Sequence, residues 1–381
     1  MERAASSDHV GPLADSVTDF VRRRADVARA RRLHAGGAEC DRDFWRALAD
    51  MGWLGIAVPE RFGGMGLGLR EATIVAEGLA RALVPEPFTA TAVLAVSLIE
   101  GGDSEPLKQE LLPRIAAGSL VPAVAWQERA GELDPAAIDA VAVPFEGGFR
   151  LSGAKRFIAA AAAADGFVVS ARCADDLALF WVSADAAGAR LTTHRLADGR
   201  ASGTLVLSDA MVTREGMVAS PVVARAALAR ALDRATVVAG AELVGVMTRT
   251  LELSLDYMRT RVQFGKPIGA FQALQHRAVD LYLQQELATA VLAEGVRDLE
   301  TIADDRARAA LASRVKARAS EAALRVTREA IQIHGAIGFT EDCDVGLYTK
   351  RAIVLSAWLG NATAHRRRYA RIAARPEAHH D

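Results

Sequence analysis

The chain is poor in lysine, cysteine and aromatic residues, and it has no long apolar run. Its lysines are Lys108, Lys155, Lys266, Lys316 and Lys350, so nearly all positive charge is carried by arginine. With 46 basic against 47 acidic residues the net charge is −1, which excludes the basic footprint of a nucleic-acid binder. The abundance of Arg and Ala reads as a compositional bias and not as a phosphate-binding surface. The cysteines, Cys40, Cys173 and Cys343, form no CxxC and no metal-ligand spacing, so neither a disulfide framework nor a bound metal is expected. Their odd number and scatter suit a reducing compartment. The longest apolar stretches, such as residues 89–99, fall short of the ~20 residues that cross a bilayer. The opening MERAASSDHV is charged and polar, unlike a secretory signal. These absences predict a cytoplasmic protein with neither a nucleic-acid nor a membrane partner.

What the chain has in quantity is material for a core. It is 51% hydrophobic over 381 residues, which excludes disorder as its main state. Its length predicts two or three subdomains. Residues from about 12 to 118 read as helices: Pro12 marks a start, then 41–51, 69–83, 89–99 and 106–117 follow. From about 121, short apolar runs alternate with turn residues (121–126, 140–145, 149–151, 167–170, 177–182, 203–207), which predicts a small antiparallel β domain. From Pro221 long helical patterns return at about 221–258, 271–299, 303–334 and 345–372. In the second of these, Leu274, Ala278, Leu281, Ala288 and Leu292 form a stripe at helical spacing. The expected class is therefore α+β and mostly helical: an N-terminal helical domain over 1–120, a middle β domain over 121–220, and a C-terminal bundle over 221–381. The tail 375–381 is expected to be disordered.

Three segments could carry chemistry. RTRVQFGKPIGAFQALQHR, residues 259–277, joins two long helices. A guanidinium at Arg261 could fork onto a pyrophosphate, with N–H groups freed at the next helix start beside it. R-x-x-F-G read alone favours a solvated loop, but the whole string is more specific. EAIQIHGAIGFTEDCDVGLYTKRA, residues 329–352, ends a helix at Gly335, where a Gly-rich turn admits another group. Gln332 could bond a heterocycle there; a plain helix cap is the alternative, and His334 alone reads as a packed histidine. VPERFGGMGLGLREATIVAEGLAR, residues 58–81, has Leu69 where the last glycine of G-x-G-x-x-G would stand, so it reads as a loop feeding a helix.

These strings, in this order and spacing, resemble the acyl-CoA dehydrogenase family over nearly the whole chain. The resemblance implies a helix–β–helix fold, FAD, and removal of two hydrogens across the α and β carbons of an acyl thioester. The thioester would be carried by CoA or an acyl carrier protein, and the electrons would pass to electron-transfer flavoprotein or a similar acceptor. It also implies a homo- or hetero-oligomer in which one chain's loops grip the ADP half of a neighbour's FAD. Position by position, Arg261, Phe264, Gln272, Gln332 and Gly335 match the family's FAD-contacting loops. The flavin-facing segments are less regular. The family's T-E-P-x-A-G-S-D reads Gln127–Asp134 here, keeping Glu128 and Ala130-Gly131, and its W-I-T reads Phe157-Ile158-Ala159. Gln127, Phe157 and Ile158 are the expected flavin contacts there.

The family's chemistry needs a carboxylate to take the α-proton while hydride leaves for flavin N5. Its two glutamate positions correspond here to Leu359 and Ala235, neither of which accepts a proton. Asp233 and Glu242 are the nearby carboxylates, Asp233 being the weak candidate for the base. Three readings follow: a subunit of a heteromeric dehydrogenase whose partner supplies the glutamate, a complete flavoenzyme with another base or a flavin monooxygenase on the same fold, and a non-catalytic flavin- or acyl-binding protein.

Overall fold

The computed structural model describes residues 9–36 and 40–374; the tail expected to be disordered lies outside these. The first third is helical. Helices α1 (Val10–Arg24), α2 (Val27–His34) and α3 (Arg42–Asp50) begin the chain. Asp26 and Asp41 cap the second and third by accepting backbone N–H bonds from their first turns. Helix α3 buries Phe44, Trp45 and Leu48, and Phe20 of α1 meets Phe44 edge-on at 5.5 Å between centroids. Then come α4 (Leu69–Arg81), a π-helical segment over Thr89–Ala95 continuing into α5 (Val96–Glu100), and α6 (Glu105–Ala116). The helices expected from the sequence are present; α2 is an addition.

Strands β1 (Pro122–Ala125), β2 (Val141–Phe145), β3 (Gly148–Ala159), β4 (Gly166–Cys173), β5 (Asp176–Ser183), β6 (Ala189–Arg195), β7 (Ala201–Thr213) and β8 (Met217–Ala219) form one sheet. Its order is β6-β7-β3-β2-β4-β5-β8, with β1 on β4. The sheet is mixed where the sequence suggests a purely antiparallel one. β1 and β2 both run parallel to β4, β1 on residues 166–169 and β2 on 172–173. Parallel pairing needs a long crossover, and the β2–β3 hairpin lies inside it. Between Lys155 and Ile158 the β3–β7 register slips: Lys155 pairs with Leu205 but Ile158 with Gly203. Two residues, Arg156 and Phe157, therefore oppose one, which is a β-bulge.

The last third is a bundle of α7 (Pro221–Thr260), α8 (Gln272–Asp298), α9 (Asp305–His334), α10 (Val345–Ala357) and α11 (Ala362–Ala373). A small hairpin, β9 (Val262–Gln263) and β10 (Lys266–Pro267), links α7 to α8. The single helix expected over 345–372 is in fact two, broken by Trp358-Leu359-Gly360-Asn361. Leu359 and Gly360 have φ of +56° and +96°, which no α-helix accommodates. A Cβ on Gly360 would stand 2.6 Å from Leu133, so both backbone and space require glycine. The Asn361 side chain then caps α11 by accepting from Ala364 N at 2.9 Å. Three apolar clusters make up the core, and Trp358 packs against all of them. No helix among the described residues is long and apolar enough to cross a membrane.

Candidate functional site

A cavity of about 320 Å³ opens where the three parts meet. Its walls come from α4 (Ala76, Leu79), the 84–90 turn, the 127–131 loop, the β3 bulge (Phe157), α7 (Glu242), α10 (Arg351, Val354) and the 358–361 strap. Local backbone aims these groups. The bulge holds Phe157 at φ +56° and leaves it 45% exposed, so its ring leaves the sheet core and faces the cavity. Ile158, one residue on, points the other way and is buried in the sheet cluster. Gln127 lines the cavity and donates its side-chain amide to Arg129 O and Glu132 O at 3.0 and 3.1 Å, fixing its own loop. Glu128 is structural: it accepts from Lys155 Nζ at 2.6 Å and from the N–H groups of Asp139 and Ala140. Burial pulls the Lys155 pKa down and Glu128 opposes it.

Leu359 lines the cavity from the strap. Behind it, the carbonyls of the strap are gripped by two buried bases. Lys316 Nζ donates to Gly360 O at 2.8 Å and Ser356 O at 3.2 Å, and His365 Nε2 bonds Leu359 O at 2.8 Å. Burial brings Lys316 down to about 7. Burial, aided by the charge on Lys316, takes His365 down to about 3. The neutral imidazole therefore carries its proton on Nε2 to serve the carbonyl. Ala235 is fully buried in the same apolar cluster as Leu359 and does not line the cavity.

The two nearby carboxylates go to opposite sides of α7. Nine residues at about 100° each put Asp233 and Glu242 about 180° apart. Asp233 is buried between Arg368 at 3.0 Å and Arg308 at 3.4 Å, away from the cavity. Burial raises its carboxyl pKa and the two guanidinium groups oppose that. Glu242 does line the cavity. It accepts from Thr89 Oγ1 at 2.5 Å and from Arg351 Nη2 at 2.6 Å. Arg351 Nη1 also donates to Asp198 at 2.9 Å. The other lining carboxylate, Glu86, is held bidentately by Arg29 at 2.6 and 3.2 Å. Glu242 and Arg351 are 109 residues apart in the chain, so no local motif announced the pair.

A second group of polar residues lies at one end of the bundle and outside the cavity. Arg261 closes α7 and Gln272 opens α8, with the Phe264-Gly265 turn between them. Phe264 has φ +52° and is 90% exposed. Tyr257 of α7 stacks on His334 at 4.4 Å, and Arg277 of α8 pairs with Glu329 of α9 at 2.9 Å. These contacts bring the Arg261 loop and the Gln332–Gly335 turn into one rigid region. Among the described residues, the side chains of Arg261, Gln272 and Gln332 make no hydrogen bond or ion pair, and all three are exposed. Gly335 takes φ +67° with nothing within 4 Å of a Cβ position. A free guanidinium, two free amides, an exposed aromatic ring and an open glycine turn fit a pyrophosphate and its base. Among the described residues no cluster of three or more His, Cys, Asp or Glu could hold a metal.

The chain is similar to known proteins over most of its length. Family profiles described as acyl-CoA dehydrogenase, N-terminal domain, and acyl-CoA dehydrogenase, C-terminal domain, match residues 8–119 and 224–374. Acyl-CoA dehydrogenase IpdE2 of Mycolicibacterium smegmatis is 31% identical over 356 residues, covering 89% of this chain and 91% of that one. Two solved structures superpose closely. One, a variant of the Tcur3481-Tcur3483 steroid ACAD, is 31% identical with a TM-score of 0.86, over 96% of this chain and 97% of the other. The second, the ChsE4-ChsE5 complex from Mycobacterium tuberculosis, is 28% identical with a TM-score of 0.88, over 99% and 100%. The helix–sheet–helix plan, the loops at the bundle end and these likenesses lead to one assignment: the chain belongs to the acyl-CoA dehydrogenase family, FAD-dependent oxidoreductases that act on CH–CH bonds.

Proposed function

We propose that this chain is one subunit of a heteromeric acyl-CoA dehydrogenase. In that assembly it lends Arg261, Phe264, Gln272, Gln332 and Gly335 to the ADP half of FAD, and a homologous partner supplies the glutamate that takes the α-proton. The observation that carries the reading is the wall of the cavity. At the strap it presents Leu359, and its two carboxylates, Glu86 and Glu242, are each committed to a guanidinium. A carboxylate whose oxygens are held by a guanidinium is not free to reach the proton of a substrate. The bound flavin would supply hydride acceptance. The residues of this chain would grip its phosphates from the end of the bundle, across the interface from the partner's cavity. Two similar structures carry paired names in their descriptions, which supports a two-component assembly. Acyl thioester is the substrate class that fits the family; the carrier is CoA or a carrier protein, and electrons leave to electron-transfer flavoprotein or a similar acceptor.

The test is co-expression of the chain with a glutamate-bearing homologue, against the chain alone. The proposal expects stoichiometric co-purification, higher flavin content in the complex and bleaching of the flavin by an acyl-CoA only there. Full bleaching and turnover by the chain alone would reject it.

A further inference from the structure

Helix α2 and the turn between β6 and β7, residues 196–200, lie side by side over one wall of the cavity. Arg195 Nη2 donates to Leu33 O at 3.2 Å, and a Cβ on Gly199 would stand 2.8 Å from His34 Cα. Only glycine lets the two backbones come this close. On the cavity side, Glu86 stands beneath α2. Its side chain has no exposed surface, lines the cavity and gives both oxygens to Arg29. Leu196 and Arg200 of the turn are themselves part of the wall.

What fastens these two pieces is polar. From α2, Arg29 reaches Glu86 at 2.6 Å, and Arg31 reaches Asp344 at 2.6 Å and the carbonyl of Glu341. His34 Nε2 accepts from Lys350 Nζ at 2.7 Å. From the turn, Asp198 accepts from Arg351 Nη1 at 2.9 Å, and Arg200 Nη2 donates to Val84 O at 2.6 Å. Apolar attachment is slight: α2 buries only Ala30 and Leu33, and no residue of 196–200 is buried as a whole. Eight residues are too few for a helix to stand alone in water. Ion pairs taken out of water return little net free energy, because desolvation offsets their attraction. Two buried donors at this seam, His34 Nδ1 and Arg351 Nε, have no acceptor among the described residues, which costs the closed form further. Segments with few buried apolar contacts are the ones that open locally.

We propose that α2 and the 196–200 turn form a two-piece cover that opens as one unit, uncovering Glu86 and breaching the cavity wall at Leu196 and Arg200. Arg351, the anchor of the turn on α10, stands six residues, or about 9 Å of helical rise, before that helix ends at Ala357. The opening therefore lies on the side of the cavity away from the Leu359 strap. Such a cover works the same whichever chain supplies the glutamate.

Carbodiimide-driven amidation of carboxylates in the full chain, read by peptide mass spectrometry, tests this. Glu86 reports on α2, Asp198 on the turn, and Asp233, buried in the bundle, on global unfolding. Glu86 and Asp198 should react at least about tenfold faster than Asp233. Two variants then work crosswise. Asp344→Asn weakens the hold on α2 at a partly exposed site and should raise the reactivity of Asp198, in the turn, by about twofold or more. Asp198→Asn weakens the hold on the turn and should raise the reactivity of Glu86, under α2, by about tenfold. Asp233 should stay unchanged in both. Glu86 and Asp198 as unreactive as Asp233, a variant that loosens only the segment it touches, or Asp233 rising in step would each overturn the inference. Should Asp198→Asn not fold, Asp344→Asn alone decides. Neither flavin reduction nor a partner enters these measurements, so their failure and the failure of the heteromer reading are separately visible.

Discussion

Leu359 combines two unusual properties: a left-handed backbone without glycine, and a carbonyl fixed by a buried histidine. Such strain persists only where the surroundings impose it, and it gathers at functional sites. Leu359→Glu keeps the strap's backbone and places a carboxylate on the cavity wall. Apolar neighbours would raise its pKa toward the range of a working base. The expected outcome is slow bleaching of bound flavin by an acyl-CoA, followed anaerobically, where the unmodified chain gives none. Lys316 yields a second prediction. Its pKa of about 7 in the folded chain lies below the ordinary 10.5, so the unfolded chain keeps the proton across that window. Stability must then rise as pH rises from about 7 to 10.5, by up to ~1.4 kcal/mol per pH unit. Lys316→Met should flatten that limb in denaturant titrations at several pH values. His365, at about 3, gives the acid limb: stability falls as pH drops from 6.5 toward 3, in both proteins. Little of this was legible in sequence. Arg261 and Gln332 stood out because their motifs are contiguous, whereas Lys316, His365 and the Glu242–Arg351 pair owe their roles to packing: Lys316 reaches across 40 and 44 residues of chain, and Glu242 across 109.

Among elements, helices were easier to read than strands, for a physical reason. Long stripes of Ala and Leu on α7, α8 and α9 repeat at the helical period, and each helix lies where that period places it. Strand β3 runs twelve residues, but only 149–151 read as a strand, because Ser152, Gly153, Lys155 and Arg156 interrupt the apolar pattern before Phe157 and Ile158. Strand β6 is mostly exposed and carries Arg, Thr and His, so it gave no signal. The break between α10 and α11 was hidden because Trp-Leu-Gly-Asn contains a single helix breaker, and the positive φ at Leu359 is imposed by packing. The hairpin β9–β10 is the element with the most direct consequence. It projects Phe264 outward and leaves Arg261 free. Arg261→Ala should lower flavin affinity by about 1.5–3 kcal/mol, the worth of a hydrogen bond between charged groups. Arg261→Lys should restore only part, because an ammonium cannot fork onto two phosphate oxygens. Equilibrium dialysis of FAD against the assembled protein measures both, and equal affinity in all three would remove Arg261 from the site.

At the scale of the molecule, α8 shows what the fold leaves unfinished. Its inner face, Ala278, Leu281, Ala288 and Leu292, is buried in the bundle. Its outer face carries Val279, Tyr282, Leu283 and Leu287, each about half exposed at 49–56%. Their spacing of three, one and four residues puts them on one stripe. A contiguous apolar stripe on a surface helix marks an interaction face. The same helix begins at Gln272, beside the Arg261 loop, so whatever covers the stripe also comes close to the proposed phosphate grip. These side chains are already about half buried, so covering the rest gains roughly half of the ~1.5–3 kcal/mol that full burial of each would give, a favourable contribution to association before its entropic cost. We therefore expect a dimer or larger assembly through α8, with this chain or with a homologue. Leu283→Glu would place a charge in the middle of that face, where desolvation opposes it, and cost little in the free chain because the site is exposed. Sedimentation velocity should show the assembly of the unmodified chain and a smaller species for the variant, with a circular dichroism spectrum that is unchanged. Flavin retention should fall in the same variant, because the grip and the interface lie on one helix. An assembly of unaltered size would place the contact on another face, and unaltered flavin retention in a dissociated variant would show that each chain holds its cofactor alone.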